Sequence, residues 1–386
     1  MFLKKYAIFL VIGIYFLTLI FRQPQIFTHR FDLDLINQYF LCQDIPNEVP
    51  GKRVFLSDGE IHQAAGYLYW QGYNPAEINF QHPPLIKYLF GLSIKLFNNP
   101  FIPQIIFGVT LIYLTYLCGT RVFQSRPVGL LASFLLAVDP LLSSLSADAL
   151  LDLGQAVFIL AYILVSINQK RSYFWQGVFL GFVAASKFWA GALFFFAATF
   201  IYQPIKKKEF NKNFIKKIVN KKLLKQTINY FLLQLSVAFI IFCIIYLPSF
   251  VYKRGAFNII FFELKTLKYW FNHSISSMPF ASLVLFITGY FKTWWDNSIV
   301  RTPSWTILWP ISFFTNLFTT GKYLFDKKRI NKQIFLNLLP VLYLVYLGVQ
   351  APFERYFIIV LSFLYLQLSK STILFLSSLH RKFHGN

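Results

Sequence analysis

Charge is scarce in this chain. Only 13% of its 386 residues are Asp, Glu, Lys or Arg, about half the share found in an ordinary soluble domain. With 56% hydrophobic residues and a mean hydropathy of +0.52, it carries more apolar surface than a water-soluble core can hold. That excludes a soluble protein and leaves a polytopic membrane protein. Cysteine is scarcer still: Cys42, Cys118 and Cys243 have no metal-ligand spacing, and two lie in apolar runs. Neither a disulfide framework nor a zinc site is expected. A glycine-rich phosphate loop is missing, as is a cytoplasmic domain to hold one, so nucleotide chemistry is excluded. Acids are few, 15 against 37 Lys and Arg, for a net charge of +22. The basic residues sit in short loops between apolar runs, without the aromatic-basic pattern of an RNA binder. They therefore mark a membrane surface, and no nucleic-acid partner is expected. Aromatic residues are abundant at 20%, enough for interfacial belts as well as lipid-facing helices.

A span needs about 20 mostly apolar residues. Ten candidates follow: 6–21, 103–119, 128–145, 150–168, 173–185, 188–203, 228–249, 303–319, 334–350 and 356–369. The first, preceded by Lys4 and Lys5, has no small-residue cleavage site behind it and reads as a retained signal anchor. Arg121 and Arg126, then Lys170 and Arg171, then nine lysines in 205–226, then Lys322, Lys327, Lys328, Arg329 and Lys332, and finally Lys370, Arg381 and Lys382 all fall on one side if the N-terminus is cytoplasmic. The expected architecture is an all-α polytopic protein of about ten spans in the plasma membrane, with both termini cytoplasmic. Its domain plan is a single unit over 1–386, with a first outer loop at 22–102, a basic cytoplasmic loop at 205–226 and another outer loop at 250–302.

The first outer loop holds seven of the fifteen acids: Asp32, Asp34, Asp44, Glu48, Asp58, Glu60 and Glu77. Two membrane-lying helices are predicted within it. One covers Ile61 to Trp70, after Ser57–Asp58–Gly59–Glu60, whose acids suit a positive helix N-terminus. The other covers Leu85 to Phe97, after His82–Pro83–Pro84, and at about 13 residues is too short to span. Asp32-x-Asp34 is read as loop structure. His273 and Trp294–Trp295–Asp296 on the 250–302 loop are candidates for sugar or acceptor contact, against the ordinary role of tryptophan as an interface anchor.

The string Phe80–Gln81–His82–Pro83–Pro84–Leu85–Ile86–Lys87–Tyr88, about twenty residues after Asp58–Gly59–Glu60–Ile61–His62, resembles the protein O-mannosyltransferase and aminoarabinose-transferase superfamily. Those are membrane glycosyltransferases of the C-type fold that use polyprenyl-phosphate sugars. Further stretches match in order: Gly119–Thr120–Arg121 at a span exit, Ser146–Ala147–Asp148–Ala149–Leu150–Leu151–Asp152 as a second-loop motif, Gly177 to Lys187–Phe188–Trp189, and Arg355–Tyr356–Phe357 opening a late span. The likeness is good over roughly 1–200 and looser beyond. Three departures stand out. Gly59 splits the usual adjacent acidic pair, Ala147 replaces the motif arginine while Asp148 adds a carboxylate one turn before Asp152, and about 36 residues separate the first span from Asp58.

The resemblance implies sugar transfer from a polyprenyl-phosphate donor to a protein, lipid or glycan acceptor on the extracytoplasmic face. An undecaprenyl-type lipid in a prokaryote is the expected setting. Displacement at the anomeric carbon needs a carboxylate base for the acceptor proton and cations for the leaving phosphate. Either Asp58 or Glu60 is the expected base, each with helix capping as its plain alternative. Lys187, Arg355 and Lys87 are the expected phosphate ligands, with snorkelling the alternative for the first two. His62, His82, Asp148 and Asp152 are expected to support the site. Hard divalent cations suit an all-carboxylate set, yet two fixed cations can take their place, so no obligatory metal is expected. Two other classes stay open: a transporter or flippase, which would carry mid-span ionisable residues in paired repeats, and an inactive assembly protein of the same architecture.

Overall fold

In the computed structural model the described residues are 2–43, 53–167, 173–187, 189–205, 221–251, 259–261, 263–268, 278–293, 298–326 and 331–384. Asp44, Glu48, Lys170, Arg171, most of the basic loop, Lys327 to Arg329, His273 and the Trp294–Trp295–Asp296 cluster lie outside them. The chain is helical almost throughout. The long helices are α1 (Phe2–Arg22), α2 (Asp34–Tyr39), α3 (Asp58–Trp70), α4 (Leu85–Phe97), α5 (Ile102–Arg121), α6 (Arg126–Ala137), α7 (Pro140–Ser146), α8 (Asp152–Ile167), α9 (Tyr173–Ser186), α10 (Trp189–Ile205) and α11 (Lys221–Ile245). They are followed by α12 (Ala281–Thr288), an antiparallel hairpin of β1 (Tyr290–Lys292) and β2 (Ile299–Arg301), then α13 (Leu308–Asp326), α14 (Lys332–Leu347), a 3-10 turn at Glu354–Phe357 and α15 (Ile358–His384).

Every one of the ten expected spans contains helix. Among the described residues only Ile102–Arg121, Ile228–Ile245 and Glu354–Arg381 are long and apolar enough to cross a membrane alone, or four if the bent pair α6–α7 counts as one span. The chain is an integral membrane protein of several apolar spans, and ten is not established as their number. Their outward faces are oily. Phe9, Leu10, Leu17 and Phe21 on α1, Leu232, Phe239, Ile240 and Ile244 on α11, and Phe314, Phe318 and Phe325 on α13 are all exposed, as lipid-facing side chains must be.

The expected straight span at 128–145 is broken. Arg126–Ala137 and Pro140–Ser146 meet at 60°. Pro140 has no backbone N–H to continue the ladder and forces the residue before it out of the helical region; Asp139 is accordingly extended, at φ −65° and ψ 129°. Its buried carboxylate uses the break. Oδ1 accepts the Leu141 N–H at 2.8 Å, and Oδ2 accepts both Trp309 Nε1 at 3.1 Å and the Tyr365 hydroxyl. One side chain thus caps α7 and ties it to α13 and α15. Replacing Asp139 with alanine strands two buried aromatic donors and removes a cap. A stability loss of about 2–4 kcal/mol is expected, read as a lower melting temperature of the detergent-solubilised protein.

The segment between α1 and α5 has a small core of its own, built from Phe31, Leu35, Tyr39, Leu56, Ile61, Ala64, Leu68 and Ile94. Asp32 and Asp34 belong to its helix start: Asp32 Oδ1 accepts the Asp34 N–H at 2.9 Å, and Asp34 holds Asn37 and Gln38. Helices α3 and α4 form where the capping signals put them. They cross with backbones in contact, because a Cβ at Gly91 would lie 2.0 Å from the Gly66 carbonyl oxygen and one at Gly66 would lie 2.3 Å from that of Lys87. This close crossing is what brings His62 and His82 together.

Candidate active site

Four charged side chains form an alternating chain. Asp58, the first residue of α3, accepts Arg355 Nη1 at 2.6 Å. Arg355 Nε lies 3.8 Å from Asp152 Oδ2, and Asp152 Oδ1 accepts Lys187 Nζ at 2.5 Å. Asp152 is buried, with a side chain only 2% exposed, whereas that of Asp58 is 50% exposed. The two cations stand over an aromatic floor: Lys187 Nζ is 4.3 Å from the centre of the Tyr356 ring, and the Arg355 guanidinium is 4.8 Å from that of Phe353. Burial pushes the Asp58 carboxyl up, but Arg355, by charge and hydrogen bond, together with His62 and Lys187 outweighs it, and the net position is below the usual carboxylate range. The exposed end of the chain is therefore an ionised carboxylate.

Glu60 points elsewhere. Its Oε2 accepts the Ser57 N–H at 2.7 Å and the Ser57 hydroxyl at 2.8 Å, while Ser57 Oγ accepts the Glu60 N–H at 3.3 Å. This is a capping box. The reciprocal bonds hold the first turn of α3 and leave Asp58 as the acid turned towards the cations.

The turn between α7 and α8 carries Asp148 and is held by its carbonyls. Gln104 Nε2 donates to the oxygens of Asp148 at 2.5 Å and Leu150 at 2.7 Å, and His62 Nδ1 donates to that of Ala149 at 3.0 Å. The Asp148–Asp152 pair expected one turn apart on a single helix is not formed. Asp148 lies in the turn and only Asp152 lies in α8. The Asp148 carboxyl sits over the first turn of α3 instead, where a Cβ on Gly59 would come within 1.9 Å of its Oδ1. Burial, opposed by Arg355, lifts Asp148 to about 6.

His62 and His82 are T-stacked with ring centres 5.7 Å apart. Burial pulls His62 down to about 3, with the Lys87 charge adding to it, and drives His82 well below the usual range. Both rings are neutral at physiological pH. His62 faces a carbonyl through Nδ1, so that nitrogen carries its proton. Lys87 is fully buried, and its ammonium donates to Asn79 O at 2.8 Å, Asn79 Oδ1 at 3.1 Å and His82 O at 2.6 Å. Three acceptors match the three protons of an ammonium. Lys87 braces the 79–82 turn, and to hold a phosphate it would have to give those bonds up. Among the described residues no three of His, Cys, Asp and Glu converge as a metal site.

One cavity touches the cluster and a second lies along α10. The small one, of about 80 Å³, touches Lys187, His82, Gln155, Tyr346, Gln350 and Tyr356. The larger one, of about 680 Å³, is lined by Trp189, Phe196, Phe239, Phe242 and Leu264 together with Glu263, which accepts the Tyr246 hydroxyl at 2.7 Å. Sequence reasoning missed Tyr356 as the floor of the site, although it adjoins Arg355 in the motif. It also missed Gln104, a lone amide in an apolar span, and Glu263, for which no motif gave a signal.

The fold has counterparts among known proteins. Residues 81–246 match the family model of dolichyl-phosphate-mannose-protein mannosyltransferases. The fold is similar to that of ArnT from Cupriavidus metallidurans, both bound to undecaprenyl phosphate (TM-score 0.59, 12% identity, covering 95% of this chain and 59% of that one) and in the apo state (0.55, 13%, covering 82% and 55%). It is also similar to the Archaeoglobus fulgidus oligosaccharyltransferase tethered with an acceptor peptide (0.52, 17%, covering 99% and 51%). No curated protein matches by sequence. The chain spans between about half and three-fifths of the length of these structures. The family match covers residues 81–246, and the likeness to these membrane proteins, at 12–17% identity, is one of fold.

Proposed function

We propose that this protein moves a sugar from a polyprenyl-phosphate donor to a protein, lipid or glycan acceptor at the extracytoplasmic face of the membrane. The observation that carries this reading is the Asp58–Arg355–Asp152–Lys187 chain: an ionised, water-accessible carboxylate followed by two cations over an aromatic floor. Asp58 takes the proton of the acceptor as its heteroatom bonds to the anomeric carbon. The bond from that carbon to the phosphate oxygen breaks, and the polyprenyl phosphate leaves with the electron pair, against Lys187 and Arg355. Bidentate binding favours Arg355 for the phosphate, which competes with Asp58 for the guanidinium and so frees the base as the donor arrives. The apolar chamber across α10 suits an isoprenoid chain, since Lys187 lies two residues before Trp189 on its wall. ArnT bound to undecaprenyl phosphate supports a lipid phosphate in the donor, and the peptide-tethered oligosaccharyltransferase supports a peptide among the acceptors. The ionisable residue within a bent span, Asp139, is fully engaged by structural donors, so nothing favours a transport pathway there.

The test is transfer by the reconstituted protein from labelled undecaprenyl-phosphate mannose, glucose and aminoarabinose to membrane acceptors. Transfer from at least one, lost in Asp58→Asn, supports the reading; none from any donor overturns it. We further infer that two fixed cations do the electrostatic work of a metal. Activity is expected to persist in excess EDTA, and reversible loss on chelation would count against this assignment.

A further inference from the structure

Gly59 and Asp148 interlock in a way that the proposed reaction has not yet used. The first turn of α3 presents a gap at Gly59, and the gap is filled from another element. Asp148 Oδ1 lies 1.9 Å, and its carboxyl carbon 3.1 Å, from where a Cβ on residue 59 would stand. No side chain larger than hydrogen fits at position 59 while that carboxyl is in place. The turn beneath the carboxyl is fixed by Gln104 at two carbonyls and by His62 at a third. His62 comes from α3 itself, one turn after Asp58. The same helix that carries Asp58 therefore anchors the turn that carries Asp148.

We propose that Asp148 is a positioning residue for Asp58: seated in the space Gly59 leaves open, its carboxyl sets a second negative charge against the Arg355–Asp58 pair and keeps Asp58 able to take the acceptor's proton. The Arg355 and Lys187 charges hold Asp58 as a poor base, since positive charge favours the ionised form. A neighbouring anion works in the opposite sense. The charged groups facing Asp148 are Asp58 on α3, Arg355 on the 3-10 turn and Asp152 on α8, with neutral His62 bound to the adjoining carbonyl. Asp148 titrates at about 6, so its charge, and with it the basicity of Asp58, develops as pH rises through that value. This role in catalysis rests on the glycosyl-transfer reading, whereas the Gly59–Asp148 interlock does not.

Two measurements test it separately. In melting of the detergent-solubilised protein, a carboxyl raised in the folded state binds its proton more tightly there than in the unfolded chain. Its contribution is most favourable at low pH and is lost as pH climbs towards and through about 6. Asp148→Asn should therefore gain in melting temperature relative to the parent between pH 4 and 8. Gly59→Ala should destabilise the parent and cost little in an Asp148→Gly background, because the clash has gone. Equal cost in both backgrounds, or parallel melting curves, would overturn the interlock. In transfer from the donor that the wild type uses, Asp148→Asn should lower kcat about threefold above pH 7, the fractional Brønsted response to about one unit in the basicity of Asp58. It should also erase the limb near pH 6 while leaving KM for the donor unchanged. An unchanged limb with an intact interlock would overturn the catalytic role alone, and absence of transfer in the wild type would overturn it together with the function proposed above.

Discussion

Asp58→Asn is expected to lower kcat by about 10²–10⁴-fold, the usual contribution of a general base, without raising KM for the polyprenyl-phosphate donor. Asparagine keeps the size of the side chain, and its Oδ1 still accepts the Arg355 Nη1 that lies 2.6 Å from Asp58, so the helix start and the cation cluster persist. What is lost is the negative charge that takes a proton. With less competition for the guanidinium, the leaving phosphate binds as well as before or better, and this separates a base from a binding residue. Glu60→Gln is the matched control. Glutamine can accept the same two bonds from Ser57, so only the charge near the helix N-terminus changes, worth a few tenths to about 1 kcal/mol. Transfer should stay within about twofold of wild type. A Glu60→Gln enzyme that is dead beside an active Asp58→Asn enzyme would exchange the roles assigned to the two acids.

Much of the architecture is legible in local signals. Ser57 three residues before Glu60, and Pro83–Pro84 before an apolar run, mark the starts of α3 and α4 because capping and proline chemistry act over one turn. Apolar runs mark the spans for the same reason of scale. What escapes the sequence depends on partners far along the chain. Pro140 is visible, but the bend it permits is held by Trp309 and Tyr365, 170 and 226 residues from Asp139. Lys87 reads as a phosphate ligand in its motif, yet Asn79, in the left-handed region at φ 45°, curls its turn back so that the ammonium is enclosed. The β1–β2 hairpin sits where a plain loop is expected, and its strands are too short to show an alternation. Gly59 looks like a defect in an acidic pair until Asp148 is seen above it. Sequence order narrows the proposed base to two candidates on either side of Gly59, and the capping bonds of Glu60 and the Arg355 contact of Asp58 distinguish them.

Asp152→Ala is expected to produce the largest loss of stability among single changes at the site, about 3–5 kcal/mol, the cost of leaving a buried charge without its partner. The two cations do not suffer equally. Arg355 keeps Asp58 at 2.6 Å, whereas Lys187, with a side chain only 12% exposed, gives up its 2.5 Å carboxylate and retains the Tyr356 ring at 4.3 Å. A cation–π contact contributes about 2 kcal/mol even when desolvated, too little to offset an ammonium stranded inside the protein. Lys187→Met introduced alongside Asp152→Ala should therefore recover most of the lost stability, since both charges then leave together and a side chain of similar length fills the space. Lys187→Met alone should cost less than Asp152→Ala, because Asp152 still has Arg355 Nε at 3.8 Å. Thermal melting of the four proteins in one detergent gives the coupling energy directly, and a double variant no more stable than Asp152→Ala would mean that the pair is not what Asp152 supplies. The recovered double variant is also the sharper functional probe. Its fold is restored while one of the two phosphate-facing cations is gone, so weakened binding of undecaprenyl phosphate by that protein reports the loss of the anion site and not of the scaffold that carries it.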